Sequence, residues 1–163
     1  MIRLTEVNER RAAICREILD DLPEWFGIPD AKARYIAASA DLPMIAASTE
    51  DSSVGFFSLK FHTEFSAELY VVGVKRRFHR QGIGRALVDA AVTFASTSGR
   101  AFLTVKTLAA SNPNPAYAAT RKFYEAVGFQ AVEVFPTLWD AKNPCLLMIR
   151  SLRGSRSRTD NGE

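Results

Sequence analysis

The chain has 163 residues, 47% of them hydrophobic and 24% charged, with a formal net charge of +3 at pH 7. That length suits one domain with a substantial core, and so mild a charge argues against a surface built for nucleic acid. No run of about 18 apolar residues is present, which argues against a membrane-spanning helix. Met1–Arg10 lacks a signal-peptide apolar region, so the expected location is cytoplasmic.

Ile2–Leu4 reads as a first strand, followed by a helix over 9–19 that Thr5 or Asn8 could cap. Leu22–Pro29 is a loop holding two prolines and two large aromatics, Trp25 and Phe26, which either pack onto the core or line a substrate mouth. Asp30 can cap a second helix reaching about Ala38. Strands follow over 43–47, 54–62 and 67–74, separated by polar turns, and predict an antiparallel meander. In the middle strand Phe57, Leu59 and Phe61 alternate toward one face.

A helix over 82–96 comes next, with Ile83, Leu87, Ala90 and Phe94 on one face and Gly99 as a left-handed stop. The β-prone segment Ala101–Leu108 then predicts a right-handed crossover to a parallel neighbour. Ala109–Pro115 is a loop, 116–127 a helix ended by Gly128, and 129–135 and 144–151 are two last strands. The expected architecture is α+β: a mixed, mostly antiparallel sheet of about seven strands with helices on both faces. Residues 1–152 form one domain, and 153–163, without a large apolar residue, form a disordered tail. Cys15 and Cys145 are too few and too far apart for a disulfide framework and read as buried, reduced thiols.

The chemistry concentrates in Val71–Ala90, VVGVKRRFHRQGIGRALVDA. An apolar strand runs into a basic turn, and Gly82-Ile83-Gly84 opens a helix. Free amides and the dipole at a helix start attract anions, and Lys75, Arg76, Arg77, Arg80 and Arg85 add local charge suited to one small polyanion. A P-loop needs Lys-Ser/Thr after its second glycine, but Arg85-Ala86 stands there. A dinucleotide site needs a third glycine, which GIGRAL lacks. A coenzyme A pyrophosphate site is the remaining reading.

With these residues the chain resembles the GNAT superfamily of acetyl-CoA-dependent N-acetyltransferases. His79-Arg80-Gln81-Gly82-Ile83-Gly84 is similar to the family's Q/R-x-x-G-x-G/A, with His79 where Gln or Arg is usual. FYEAVGF at Phe123–Phe129 is similar to a second family block. The resemblance spans roughly 53–151. It implies acetyl transfer from acetyl-CoA to a primary amine, small or on a peptide, by direct attack in a ternary complex. It implies acetyl-CoA as co-substrate, no metal, and a monomer or homodimer. A coenzyme A-binding sensor without catalysis is the alternative, and a nucleic-acid binder using the basic cluster is a third.

By the same resemblance, the amides of Arg80, Gln81, Gly82, Ile83, Gly84 and Arg85 bind the pyrophosphate, with His79 still able to offer its own amide. Val72, Gly73 and Val74 pair with the pantetheine arm, and one of their N–H groups polarises the thioester. Gly73 also fits a bulge or close packing. Tyr124 stands where the family places the acid for the departing thiolate, a phenol near pKa about 10 facing a thiol of about 8.5. Tyr117 stands where many members carry an asparagine that contacts the coenzyme and is expected to stack on or hydrogen-bond to it instead, and Arg121 either reaches a phosphate or is an exposed charge. Glu68 matches the catalytic glutamate of the histone acetyltransferase branch in its spacing ahead of Gly82, with Glu64 and His62 as rivals. Trp139, in the segment joining the last two strands, either packs or closes a wall of the acceptor pocket.

Overall fold

In the computed structural model, which describes residues 1–153, the chain runs β1 (Arg3–Val7), α1 (Arg11–Asp20), α2 (Pro29–Ser39), β2 (Met44–Ser48), β3 (Ser53–Phe61) and β4 (Ser66–Val74). A single 3-10 turn, Arg76–Phe78, leads to α3 (Ile83–Thr97), β5 (Phe102–Leu108), α4 (Pro115–Ala126), β6 (Gln130–Asp140) and β7 (Asn143–Ser151). The seven strands form one sheet in the order β1-β2-β3-β4-β5-β7-β6. Every pairing is antiparallel except β4 with β5. The expected meander and single parallel step are both present, and β7 returns between β5 and β6. The expected tail lies outside the described residues, apart from Arg153.

Helices cover both faces because the central strands are apolar on both sides. Phe57, Leu59, Leu69 and Leu103 pack with Leu87, Val88 and Ala91 of α3. Phe56, Val71 and Met44 pack on the other face with Ile18 and Leu19 of α1 and Ile36 of α2. The buried stripe of α3 is Ile83, Leu87, Val88, Ala91 and Ala95. Ala90 and Phe94, expected at its centre, flank it half-buried. Both cysteines are buried and free.

Three local expectations differ. Neither Thr5 nor Asn8 caps α1: Arg10 stands at its N-cap in a left-handed conformation, φ 58°, without a side-chain cap bond. Pro29 opens α2 in place of an Asp30 cap, since its fixed φ suits the first helical turn. The 138–145 segment is a hairpin. β6 extends to Asp140, whose carboxylate accepts the amides of Lys142 (2.9 Å) and Asn143 (3.0 Å) and closes the turn. Gly99 and Gly128 do take the left-handed φ expected of helix stops, 80° and 98°.

Candidate active site

The site begins as a split in the sheet. β4 and β5 pair only at Ser66↔Phe102, Ala67↔Leu103 and Glu68↔Thr104. Beyond that register β4 runs on to Val74 and β5 to Leu108, and their facing edges have no strand partner across the gap. β3 pairs Ser58 with Val71 but Leu59 with Leu69, so Tyr70 is an extra, bulged residue. A bulge sharpens local twist and bends its strand, which accounts for β4 leaving β5 at this point. The bulge is not at Gly73. A Cβ there would come within 3.1 Å of Ile18 Cγ2 and 3.2 Å of Leu22 Cδ1, so Gly73 lets α1 approach the sheet.

A cavity of about 560 Å³ lies along the open edge of β4 and reaches the start of α3; we refer to it as the turn cavity. Arg80 (φ 59°) and Gly82 (φ 82°) swing the chain from the 3-10 turn into α3. Nothing lies within 4 Å of a Cβ on Gly82, so its glycine serves the positive φ alone. Gly84 serves proximity, because a Cβ would meet the Phe123 ring of α4 at 3.3 Å. No side chain caps α3. Its bonding starts with Ala86 N–H donating to Gly82 O (3.0 Å), which leaves the amides of Ile83, Gly84 and Arg85 without an intrahelical acceptor.

The basic turn divides its charges. Lys75 pairs with Glu17, and Arg76 pairs with Glu24 while its amide donates to Asp21 (2.7 Å). Both thus anchor the turn to α1 and the loop after it. Arg77 lies over the Phe78 ring. Arg80 and Arg85 remain to line the turn cavity. His79 also lines it, but its amide donates to Arg76 O (3.1 Å) within the turn and its Nε2 bonds Val74 O (2.6 Å). The side chains of Gln81 and Ile83 do not line the cavity. Gln81 donates to Arg77 O (3.1 Å) and Ile83 is core, so each has only its backbone to offer. Arg121, a candidate phosphate ligand, instead donates to Leu108 O (2.6 Å) and fixes the end of β5.

Tyr124 enters the turn cavity from α4. It is 6% exposed, packed between the rings of Phe123 and Phe129. Burial first, then the neighbouring Tyr117 and Tyr35, pushes its phenol well above the ordinary tyrosine range. Val72, Gly73 and Val74 line the same cavity, as does Tyr117. Tyr117, however, spends its hydroxyl on Trp25 O (2.5 Å), and burial pushes it up to about 12. The Trp25 indole donates to Thr120 Oγ1 (2.9 Å) and meets the His79 ring edge-on at 5.8 Å. Two hydrogen bonds thus strap the 22–28 loop to α4.

A second cavity, about 550 Å³, lies on the α2 side with Glu68 in its wall; we call it the Glu68 cavity. Glu68 is 4% exposed. Its Oε1 bonds His62 Nε2 (2.6 Å) and accepts from Lys106 Nζ (3.1 Å). Glu64 lines neither cavity. The two cavities share Trp25, Phe26, Tyr35, Tyr70, Tyr117 and Trp139, together with Lys106. Trp25, Phe26 and Trp139 therefore stand where the two cavities adjoin. Lys106 was not a candidate from sequence. Alternation along β5 could have found it, since Leu103, Val105 and Thr107 are buried and Lys106 takes the opposite face. No group of three or more His, Cys, Asp or Glu placed to hold a metal occurs among the described residues. No helix there is long and apolar enough to cross a membrane.

Comparison with known proteins adds three structures and one family. Residues 40–131 match the profile described as an acetyltransferase (GNAT) domain. A protein from Desulfovibrio desulfuricans assigned to the GNAT acetyltransferases superposes with a TM-score of 0.79 at 20% identity, covering 94% of this chain and 100% of that one. An aminoglycoside 6'-N-acetyltransferase complexed with coenzyme A gives 0.72 at 17% identity, covering 94% and 99%. A GNAT-family acetyltransferase from Elizabethkingia anophelis with acetyl-CoA bound gives 0.70 at 15% identity, covering 92% and 97%. At these identities the likeness is one of fold. Comparison with proteins of curated function gave no match.

Proposed function

The chain belongs to the GNAT acetyltransferase family, and we propose that it transfers the acetyl group of acetyl-CoA to a primary amine, both held in one ternary complex. The observation that carries this reading is the pair of adjoining cavities at the split of β4 and β5, one bordered by unpaired amides and the other walled by a buried carboxylate. The residues fit the coenzyme. The free amides of Ile83, Gly84 and Arg85 and the dipole of α3 suit a pyrophosphate, and Arg80 and Arg85 add charge-assisted bonds. The open edge of β4 over Val72–Val74 suits an amide-bearing arm, which pairs with it as a strand would.

The coenzyme supplies a carbonyl for attack and a thiolate to leave. Tyr124, which burial keeps protonated, gives its phenol proton to the sulfur. The nitrogen's second proton restores that phenol after the N–C bond has formed and the C–S bond has broken. An amine of pKa about 10.4 arrives as ammonium, and Glu68 takes its first proton through water. Lys106 and His62 hold Oε1, leaving Oε2 for that step. Partial dehydration of the amine in the Glu68 cavity disfavours its charged form and so eases that transfer.

Calorimetric titration with acetyl-CoA tests the reading. We expect one site with a dissociation constant on the order of 10 μM, within the usual range for enzyme substrates. No heat at high micromolar coenzyme would overturn it.

A further inference from the structure

The residues shared by the two cavities are a biased set of side chains. The chain has four tyrosines and two tryptophans. Tyr35, Tyr70, Tyr117, Trp25 and Trp139 line both cavities, and Tyr124 lines the turn cavity. Phe26 joins them, meeting Tyr35 edge-on at 5.8 Å, and Tyr35 meets Tyr70 at 5.3 Å. Ile28, Leu108 and Leu138 add apolar surface to the Glu68 cavity. Rings in such an arrangement offer flat apolar area and attract a cation over their faces.

The charges of the Glu68 cavity are balanced. Its wall holds three carboxylates, Glu24, Glu68 and Asp140, and three cations, Lys32, Arg34 and Lys106. Each carboxylate is already engaged: Glu24 with Arg76, Glu68 with Lys106 and His62, and Asp140 with the Asn143 side chain and two amides. A polycationic acceptor needs carboxylates left uncompensated, because each added ammonium must be repaid by a separate opposite charge. One such carboxylate, Asp140, lines this cavity with no cationic partner among the described residues, enough for a single ammonium, and Arg34, also without an ion-pair partner among the described residues, adds a charge that opposes a second.

We propose that the acceptor is a monoamine on an aromatic or other flat apolar body, an arylalkylamine, and neither a polyamine nor an aminoglycoside. This rests on the acetyltransferase reading above. The amine points toward the junction of the two cavities while its body lies against Tyr35, Tyr70 and Trp139. The acetyl group moves from sulfur to that nitrogen, and one proton moves from nitrogen to sulfur.

The experiment is a thiol-release assay with acetyl-CoA and equal concentrations of 2-phenylethylamine, tryptamine, spermidine, kanamycin and a peptide with a free N-terminus. Coenzyme binding is measured in parallel by calorimetry. We expect kcat/KM for an arylalkylamine to exceed that for every polycation and for the peptide at least tenfold. We also expect Trp139→Ala to raise KM for that amine at least fivefold, with kcat changing less. Preference for spermidine, kanamycin or the peptide overturns the acceptor class and leaves the transferase standing. Coenzyme binding without thiol release from either arylalkylamine overturns the class as well. Failure of the coenzyme to bind overturns the transferase reading itself.

Discussion

The two cavities share lining residues but are made of different material. The turn cavity is bordered by backbone: the amides opening α3, the positive-φ bends at Arg80 and Gly82, and the open edge of β4. The Glu68 cavity is made of side chains from separate places, among them the 22–28 loop, α2, β4, β5 and the β6–β7 hairpin. Backbone recognition depends on conformation, and conformation leaves glycines at fixed spacing in the sequence. Side-chain recognition depends on which distant segments the fold brings together, and no short motif records that.

Four experiments separate the chemistry from the binding of the coenzyme, the largest expected effect first. Tyr124→Phe removes the proton donor and keeps the ring between Phe123 and Phe129. It should lower kcat by about 100-fold or more, the usual worth of a positioned acid, with the coenzyme dissociation constant within about twofold by calorimetry. Glu68→Gln should lower kcat/KM for the amine by about 10- to 100-fold, at the low end of acid–base effects because water intervenes, and leave coenzyme binding unchanged. An equal loss of coenzyme affinity in either variant would break the division of labour.

Gly82→Val works from the other side. A β-branched residue at φ 82° is strained, so the start of α3 must shift. Coenzyme affinity should fall by about tenfold, roughly 1.4 kcal/mol, while kcat at saturating coenzyme changes little. The smallest effect concerns pH. Burial raises the Tyr124 phenol above its ordinary value of about 10, so the neutral, proton-donating form persists throughout the range below that value. A kcat–pH profile should show no tyrosine-dependent fall below about pH 10. A basic limb below that value that disappears in Tyr124→Phe would contradict this.

Much of the fold was legible because periodicity carried it. Phe57, Leu59 and Phe61 alternate as expected, and Gly99 and Gly128 stop their helices. Legibility failed where a tertiary contact overrides local preference. The segment 138–145 reads only as the join between the last two strands, yet β6 runs on to Asp140, whose carboxylate closes a hairpin turn. Gly73 is compatible with a bulge or with close packing; it packs against Ile18 and Leu22, and the bulge belongs to Tyr70, for which no residue type is diagnostic. In the site, GIG at 82–84 was readable from its spacing. The place of Arg121 was not readable, because its bond to Leu108 O joins α4 to the end of a strand outside any local pattern. The strap from Tyr117 and Thr120 to Trp25 spans more than ninety positions of chain, so nothing local could announce it.

The most direct test of the central claim is a product assay that counts both halves of the reaction at once: free thiol by a colorimetric reagent and acetylated amine by mass spectrometry, with acetyl-CoA and an arylalkylamine. The account predicts thiol and acetylated amine in equal amounts with the wild type, and both reduced about 100-fold or more in Tyr124→Phe. Tight coenzyme binding with neither product, from any amine offered, would contradict it and mark the chain as a coenzyme-binding module without catalysis.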